Sequence, residues 1–450
     1  MGSRDVRELT LSPAYRISSV VLIAVFFAGF INLFPSPGTA PATLVIDGLL
    51  AVMFAAVIAR AAKEQGRIQI DSWMFAWLLL VAAYAVLALQ GGAPIGEQLT
   101  TIRSHALYAF IAIFISIAVR SVRELDRLLL LVMRLGVAFS IFGVLQYVLR
   151  GQLPMWLLAS SDTRLFSYFG TDITRSNGLM GNTIVYSATL LLFISLWAFK
   201  LAQRPNIHSA VATAVVFAAI ITTFSRTAIV GAILILLIAL LKLLGRNGIQ
   251  KLIPALLGAA MLGAVIVLAL FANPQTSRSI SESFIVADLF GERNASVQGS
   301  TAGHDAFLDF ALQSFAENPM TGLGIGSQSV ATNTSVQITD GANLAVAVEG
   351  GFFLFVPWVL LIGSAAVAAL RARRLIAPEY RFVAVGLVVF ITYQFGVASF
   401  VNSAIIGKTP YLLFWGTFGI LMALVRVGRT ERALADERLP LRGVVPSGNS

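Results

Sequence analysis

The stretch "ITTFSRTAIVGAILILLIALLKLLG" at residues 221–245 decides the fold class, because it sets Arg226 between two apolar runs with no glycine or proline beside it. One helix through both runs would have about 36 residues and a length of about 54 Å, whereas the hydrocarbon core of a bilayer is about 30 Å thick. The chain therefore has to turn near residues 223–227. We predict two spans here, at 208–224 and 227–244.

The rest of the chain is similarly apolar. Of its 450 residues 57% are hydrophobic and 12% are charged, and several apolar runs reach the length of about 20 residues that crosses a bilayer as a helix. We predict an all-α polytopic membrane protein with about twelve transmembrane helices, at 15–35, 43–62, 72–90, 99–119, 125–149, 182–200, 208–224, 227–244, 252–272, 343–370, 381–400 and 409–427. The polar start of the chain has no apolar region with a cleavage site, so we predict that no signal peptide is removed.

The charge pattern predicts the orientation. A net charge of +10 could indicate nucleic acid, but in so apolar a chain the distribution of Lys and Arg over the loops matters more than their sum. Basic clusters, such as those at 120–127, 200–204 and 371–381, fall on every second loop, which predicts that both termini are cytoplasmic. The chain has no cysteine, and its three histidines are far apart, so we expect no metal site and no cofactor.

We divide the chain into an N-terminal transmembrane bundle of about nine spans (1–272), an extracytoplasmic loop (273–342), C-terminal transmembrane helices (343–427) and a cytoplasmic tail (428–450). The outward segments 150–181 and 273–342 exceed ordinary connectors in length, so we expect function there. Within the second, one helical face carries Phe307, Phe310, Ala311, Ser314 and Phe315, and the other carries Asp305, Asp309, Gln313 and Glu317. This pattern predicts an amphipathic helix that ends at Pro319 and lies on the membrane or caps the bundle.

Arginines on the outward side are the first candidates for a binding site. Arg226 is predicted on the outer side of the membrane, whereas positively charged residues are usually concentrated on the cytoplasmic side. By position alone it could be an interfacial anchor that extends to the headgroups. Arg175 lies in a second outward polar segment. Two such guanidinium groups suit a pyrophosphate, because each can bind phosphate oxygens in a bidentate fork. Arg164 and Arg293 could extend this basic surface.

Two carboxylates near the tenth predicted span are the second candidates. Asp340 precedes the span, and Glu349 lies about two turns inside it. A carboxylate inside an apolar run is costly and is therefore a functional candidate, although pairing with a buried arginine such as Arg134 or Arg226 would also explain it. The glycines of "GLGIGS" at 322–327 lack the Lys and Ser/Thr of a phosphate loop, so we interpret them as a turn after the amphipathic helix.

Four stretches resemble, in the same order along the chain, the O-antigen ligase and Wzy-type polysaccharide polymerase family. They are "RSNGLMGNTIVYSATLL" with Arg175, Gly178 and Asn182, "FSRTAIVG" around Arg226, "HDAFLDFALQSFAENPMTGLGIGS", and "DGANLAVAVEGGFFLFVPWVLL" with Glu349 and Gly351. The resemblance covers roughly residues 170–370. The chain departs from the family in having Asp340 where the ligase branch has a histidine, and His304 where a second arginine is common, so that Arg293 could substitute for that arginine.

The resemblance implies a GT-C-like, metal-independent and inverting glycosyltransferase with a glycan on undecaprenyl pyrophosphate as its donor. Arg226 and His304 would act in catalysis with Asp340 as the base, while Arg175, Asn182, Arg293 and Glu349 would bind the donor pyrophosphate or the glycan. We expect polymerisation of lipid-linked repeat units into surface or secreted polysaccharide, in the bacterial inner membrane, with a glycan acceptor and accessory chain-length and flippase proteins as partners. The alternatives are ligase-like transfer to a lipid or protein acceptor, and a lipid or glycan transporter.

Overall fold

The computed structural model of the chain describes residues 15–20, 23, 40–63, 72–91, 93–149, 152–153, 175–180, 183–244, 295–328, 341–375, 378–400 and 408–438. Over these ranges all regular secondary structure is helical, without a strand. The helices are α1 (Ala40–Lys63), α2 (Ser72–Leu89), α3 (Ile95–His105), α4 (Phe110–Ala118), α5 (Val122–Val148), α6 (Thr183–Gln203), α7 (Ile207–Thr222), α8 (Arg226–Leu244), α9 (Ala295–Glu317), α10 (Ala342–Leu375), α11 (Arg381–Gly396) and α12 (Lys408–Arg438).

The structure is that of a helical membrane protein. Within the described residues, five helical segments are long and apolar enough to cross a bilayer: Ile95–Ala118, Val122–Val148, Thr183–Gln203, Arg226–Leu243 and Ala342–Ala368. Helices also occupy five further predicted spans, whereas the span at 252–272 and most of that at 15–35 lie outside the described residues. The count of twelve spans and the GT-C-like arrangement remain predictions.

Small residues bring the helices close together. A Cβ atom added to Gly419 of α12 would lie 2.9 Å from the Ala112 Cα of α4, and one added to Gly386 of α11 would lie 3.0 Å from the Ser195 carbonyl oxygen of α6. In lipid the hydrophobic effect does not draw helices together, so close backbone approach of this kind supplies much of their attraction. The core of the bundle also contains the fully buried indoles of Trp73, Trp358 and Trp415.

The predicted turn near residues 223–227 is confirmed. Helix α7 ends at Thr222 and α8 begins at Arg226. We call the end of the bundle that contains this turn the arginine end. Three hydrogen bonds show which helix ends meet there. Gln146 near the end of α5 bonds to Asn177, just before α6, and Arg175 in the same segment bonds to Thr223 at the end of α7. Tyr393 near the end of α11 bonds to Thr227 at the start of α8.

Helix α10 departs from the uninterrupted span predicted at 343–370. Gly351 has φ 57° and ψ −153°, outside the helical region. The Trp358 indole NH donates to Asn343 Oδ1 at 2.9 Å, although a straight helix would separate residues 15 positions apart by about 22 Å. The chain therefore folds back at Gly351, so Ala342–Ala368, although long and apolar enough, does not cross a bilayer as one straight helix. We name the two arms α10a (342–350) and α10b (352–375). Glu349 lies about two turns after the start of the helix at Ala342, directly before this reversal.

The amphipathic helix is confirmed as α9, which ends at Glu317 as the following proline predicts. Ala311 and Ser314 are buried, and the ring of Phe315 packs edge to face on Phe352 of α10b with centroids 4.8 Å apart. Leu308 and Leu312 are exposed on a neighbouring face. Polar side chains at 309, 313 and 317 are exposed on the remaining face. One face of α9 therefore packs on the bundle while a second presents leucines, as expected of a helix at a membrane interface.

Candidate functional site

The turn between α7 and α8 holds Arg226 at the first position of α8. Thr223 Oγ1 donates to the Ile220 carbonyl at 2.6 Å and accepts from the Ser225 amide at 3.2 Å, so this side chain fixes the turn. Phe224 has φ 50°, a left-handed conformation that is rare outside glycine and costs on the order of 1–3 kcal/mol. Strain of this kind persists only where the surrounding contacts determine the backbone, and it is concentrated at functional sites.

Arg175 lies against the same turn, although it is 48 residues from Thr223 in sequence. Its Nε donates to the Thr223 carbonyl oxygen at 2.9 Å, and the Ser176 amide donates to the Thr222 carbonyl oxygen at 2.9 Å. Thr223 is three residues before Arg226 in sequence. The structure therefore brings together two of the arginines that the sequence singled out.

Gln146, near the end of α5, organises the segment that carries Arg175. Its Oε1 accepts hydrogen bonds from the Asn177 amide at 3.0 Å and the Gly178 amide at 2.9 Å, and also from Ser176 Oγ at 3.2 Å. Its Nε2 donates to Asn177 Oδ1 at 2.8 Å. Gln146 is 1% exposed, so these bonds are formed away from water, where an unmade one would be expensive.

The loop after α9 fills the reversal in α10. Four backbone hydrogen bonds join the two segments: Leu323 N to Val348 O at 2.8 Å, Gly324 N to Glu349 O at 3.0 Å, Phe352 N to Pro319 O at 2.7 Å, and Phe353 N to Met320 O at 3.1 Å. They satisfy the peptide groups that the reversal removes from the helical ladder, as apolar surroundings require. The turn predicted for "GLGIGS" is confirmed, and this loop is an integral part of the helix reversal.

Glu349 lies at the end of α10a and is 2% exposed. Its Oε1 accepts from the Gln328 amide at 3.4 Å, and the Gly326 backbone also hydrogen-bonds to the carboxylate. Its Oε2 is buried without a hydrogen-bond partner among the residues that the structure describes. A buried carboxylate oxygen with no donor is costly, and a ligand hydroxyl or ammonium group would reduce that cost.

Two further acceptors belong to residues at the start of α3, whose backbone lies beside Gly326. A Cβ atom added to Gly326 would lie 3.3 Å from both Gln98 N and Glu97 C. Like Glu349 Oε2, Gln98 Oε1 and Glu97 Oε2 are buried atoms for which the described part of the chain supplies no hydrogen-bond partner. Three oxygen acceptors that lack donors therefore flank one glycine loop. Such a set fits a ligand that offers many hydrogen-bond donors.

The last turn of α11 connects the arginine turn with the α10 reversal. The Tyr393 hydroxyl donates to the Thr227 carbonyl oxygen, one residue after Arg226. Two residues further along α11, the Phe395 carbonyl accepts from Asn343 Nδ2 of α10a at 2.6 Å. Any ligand that spans the arginine end can thus contact elements held in one hydrogen-bonded framework.

Of the residues singled out by sequence, Arg175, Arg226 and Glu349 are found at the arginine end. The backbone of His304 belongs to α9, but the structure does not describe its side chain. Four further candidates lie outside the described residues altogether: Arg164, Asn182, Arg293 and Asp340. The alternative that Glu349 pairs with Arg134 is wrong, because the Arg134 side chain is exposed on α5. The sequence interpretation missed Gln146, Asn343, Glu97 and Gln98. A glutamine such as Gln146 inside an apolar run is a signal that could have been used.

No protein-family model and no curated protein matches this chain. The likeness to the ligase and polymerase family consequently rests on the four short stretches alone.

Proposed function

We propose that this protein is a metal-independent, inverting glycosyltransferase that polymerises undecaprenyl-pyrophosphate-linked oligosaccharide repeat units. In this proposal it lies in a bacterial inner membrane with both termini in the cytoplasm, so that the arginine end faces outward. The product is a surface or secreted polysaccharide.

The observation that carries the proposal is the hydrogen bond from Arg175 Nε to the Thr223 carbonyl, which sets Arg175 on the turn that presents Arg226. Paired guanidinium groups at a helix start suit a pyrophosphate, both through bidentate hydrogen bonds and through the partial positive charge of the helix N-terminus. A polyprenyl chain would lie in the bilayer beside the bundle. Its pyrophosphate would then be at the headgroup level, where this turn is expected.

The proposed reaction is a single displacement. The acceptor hydroxyl oxygen attacks the anomeric carbon of the donor, the bond from that carbon to the pyrophosphate oxygen breaks, and the hydroxyl proton passes to a base, for which Asp340 is our candidate. Negative charge develops on the departing undecaprenyl pyrophosphate. Arg175 and Arg226 would stabilise that charge more strongly in the transition state than in the bound donor.

The acceptors beside Gly326 support a carbohydrate ligand. Sugar hydroxyls are donors, and Glu349 Oε2, Gln98 Oε1 and Glu97 Oε2 have none among the described residues. In our proposal the acceptor end of the growing glycan lies against this loop while the donor pyrophosphate lies at the arginine turn. The hydrogen bonds of Tyr393 and Asn343 through the end of α11 would hold the two halves of the site in register.

The direct test is to mix the purified protein with a lipid-linked repeat unit and to measure chain length and released undecaprenyl pyrophosphate, with chelator present to remove divalent metal. We expect longer glycan chains and the release of one undecaprenyl pyrophosphate for each glycosidic bond that forms. Transfer to a lipid or protein acceptor without chain growth would instead indicate the ligase-like alternative.

A transporter is the second candidate, because a helix broken beside a buried carboxylate is also a feature of many carriers. The discriminating measurement is uptake of a glycolipid or sugar into sealed proteoliposomes. Transport without any covalent change in the substrate would favour this candidate over the glycosyltransferase.

A further inference from the structure

At the end of the bundle opposite to the arginine end, a cavity of 210 Å³ opens between α5, α6 and the segment that leads into α11. Its rim and its interior differ in character. Charged side chains from all three elements line it, with Asp126, Arg204 and Glu379 exposed, while Leu129 and Met133 of α5 are buried. None of these residues belongs to the candidate functional site described above.

The rim carries both signs of charge. Asp126 of α5 and Glu379, just before α11, supply carboxylates, while Lys200 and Arg204 at the end of α6 supply an ammonium and a guanidinium group. Within the described part of the chain these four groups form no ion pair within 4.0 Å; the salt bridge found there joins Arg103 to Asp47 instead. Complementary charges line one small opening but do not neutralise one another by direct contact.

The Trp197 ring, one turn earlier on α6, holds Lys200 in position. Its Nζ lies 4.9 Å from the centre of the Trp197 ring, a cation–π geometry. The Trp197 indole NH donates to the Met133 carbonyl oxygen at 3.3 Å, which joins α6 to α5 under the cavity. On the other side, burial raises the pKa of the Tyr380 hydroxyl, and the neighbouring carboxylates of Asp126 and Glu379 raise it further, so this phenol stays protonated as a donor beside Asp126.

The α5 wall changes from polar to apolar along its length. Asp126 is followed at helical spacing by Leu129, Leu130 and Met133, all of which line the cavity. Leu130 is 37% exposed, so the apolar part of the cavity is continuous with the outer surface of the helix. Arg127 and Arg134 are exposed on the adjoining stripe of α5. A ligand here would meet charges at one end and an apolar surface that leads toward lipid at the other.

We propose that this cavity binds the headgroup of a zwitterionic aminophospholipid. Its phosphate lies against Lys200 and Arg204, its primary ammonium donates to Asp126 and Glu379, and an acyl chain follows Leu130 along α5. A primary ammonium has three N–H donors to share between two carboxylates, whereas a trimethylated headgroup has none. An anionic headgroup without an amine would leave the two carboxylates facing a phosphate.

The test is native mass spectrometry of the detergent-purified full chain with phosphatidylethanolamine, phosphatidylcholine and phosphatidylglycerol of identical acyl chains. We expect phosphatidylethanolamine to bind at least about tenfold more tightly than either of the others, the difference that roughly 1.4 kcal/mol makes. Equal binding of the three lipids by the unmodified protein would overturn the proposal without recourse to any variant. Equal competition by water-soluble glycerophosphoethanolamine would overturn the lipid as the source of the headgroup.

Two paired variants assign the charges. The double variant Asp126→Asn/Glu379→Gln should lose the preference for phosphatidylethanolamine, and Lys200→Gln/Arg204→Gln should weaken binding of all three lipids. The matched control is Asp309→Asn/Glu317→Gln, which neutralises two exposed carboxylates of α9 and should keep the native preference. A preference retained in the Asp126/Glu379 variant would contradict the assignment.

Discussion

Arg175 donates from its Nε to the carbonyl oxygen of Thr223 at 2.9 Å, which joins an arginine in one connecting segment to the turn that begins α8 at Arg226. A carbonyl at a helix end has no partner in its own helix, so this bond serves the backbone of the turn and the orientation of the guanidinium group together. The two arginines are therefore coupled through three residues of backbone. Disturbing any support of this pair should disturb both.

We expect Gln146→Leu to destabilise the protein and to lower its transferase activity. The change removes the acceptor of the 176–178 segment and leaves buried amide groups without partners, at a cost of about 2–4 kcal/mol. Gln146→Glu should cost less, since the carboxylate keeps the acceptors and the Asn177 amide can rotate to donate. Thermal unfolding in detergent measures the first effect, and Gln313→Leu, at an exposed position of α9, is the control.

Gly351→Ala should be strongly destabilising. The backbone there has φ 57°, and an added Cβ would lie 2.5 Å from the Pro319 carbonyl oxygen, so we expect a loss of about 2 kcal/mol or more. Gly363→Ala is the matched control in the same helix α10b, where an added Cβ meets nothing within 4 Å and should stabilise by roughly 0.5–1 kcal/mol. Equal unfolding temperatures for the two variants would show that the chain does not reverse at Gly351.

Asn343→Leu tests whether the two arms of α10 lie side by side. The variant strips Trp358 Nε1 and the Phe395 carbonyl of their described partner and should cost about 2–3 kcal/mol. Adding Trp358→Phe removes the indole NH that donates to Asn343. The double variant should therefore lose less free energy of unfolding than the two single variants together, with a coupling of about 1 kcal/mol. Strict additivity would indicate that the residues do not touch.

Glu349→Gln should separate function from stability. The amide oxygen can still accept from the Gln328 and Gly326 amides, and neutralising a buried carboxylate removes a desolvation cost, so we expect unchanged or higher thermal stability. Glycan polymerisation should nevertheless fall about tenfold or more, because an amide NH2 group, which cannot accept a hydrogen bond from a sugar hydroxyl, takes the place of the unpartnered oxygen. Glu317→Gln, at an exposed position of α9, should alter neither property. A variant that is less stable but fully active would mean that Glu349 only supports the fold.

The lengths of the apolar runs and the pattern of polar residues correctly predicted those features that depend only on nearby residues in the sequence. The turn before Arg226 followed from the thickness of a bilayer, and the end of α9 followed from a proline and from the period of its apolar residues. For Arg175 and Arg226 the sequence predicted only that both lie on the same side of the membrane. Its hydrogen bond to Thr223 depends on the folding of distant segments, which no local pattern encodes.

The reversal in α10 could not be predicted because its cause lies elsewhere in the chain. The Gly350–Gly351 pair is a turn signal, but glycines are also common within transmembrane helices, and the reversal here depends on backbone groups of residues 319–324 that form hydrogen bonds with its peptide groups. Arg134 illustrates the opposite error. A basic residue in an apolar run was interpreted as buried and paired, whereas it lies on the exposed surface of α5, where a long side chain can extend toward headgroups.

The most direct test of the central claim is to measure kcat/KM for polymerisation of a purified lipid-linked repeat unit by Arg175→Lys, Arg226→Lys and the double variant, with Arg381→Lys as the exposed control at the opposite end. Lysine keeps the charge and can anchor at an interface, but it cannot form the bidentate fork with phosphate. The account predicts that each single change lowers kcat/KM about 100-fold or more, and that the double variant loses less than the product because both residues act on one pyrophosphate. Native kcat/KM in Arg226→Lys would contradict the account and leave this arginine as a membrane anchor.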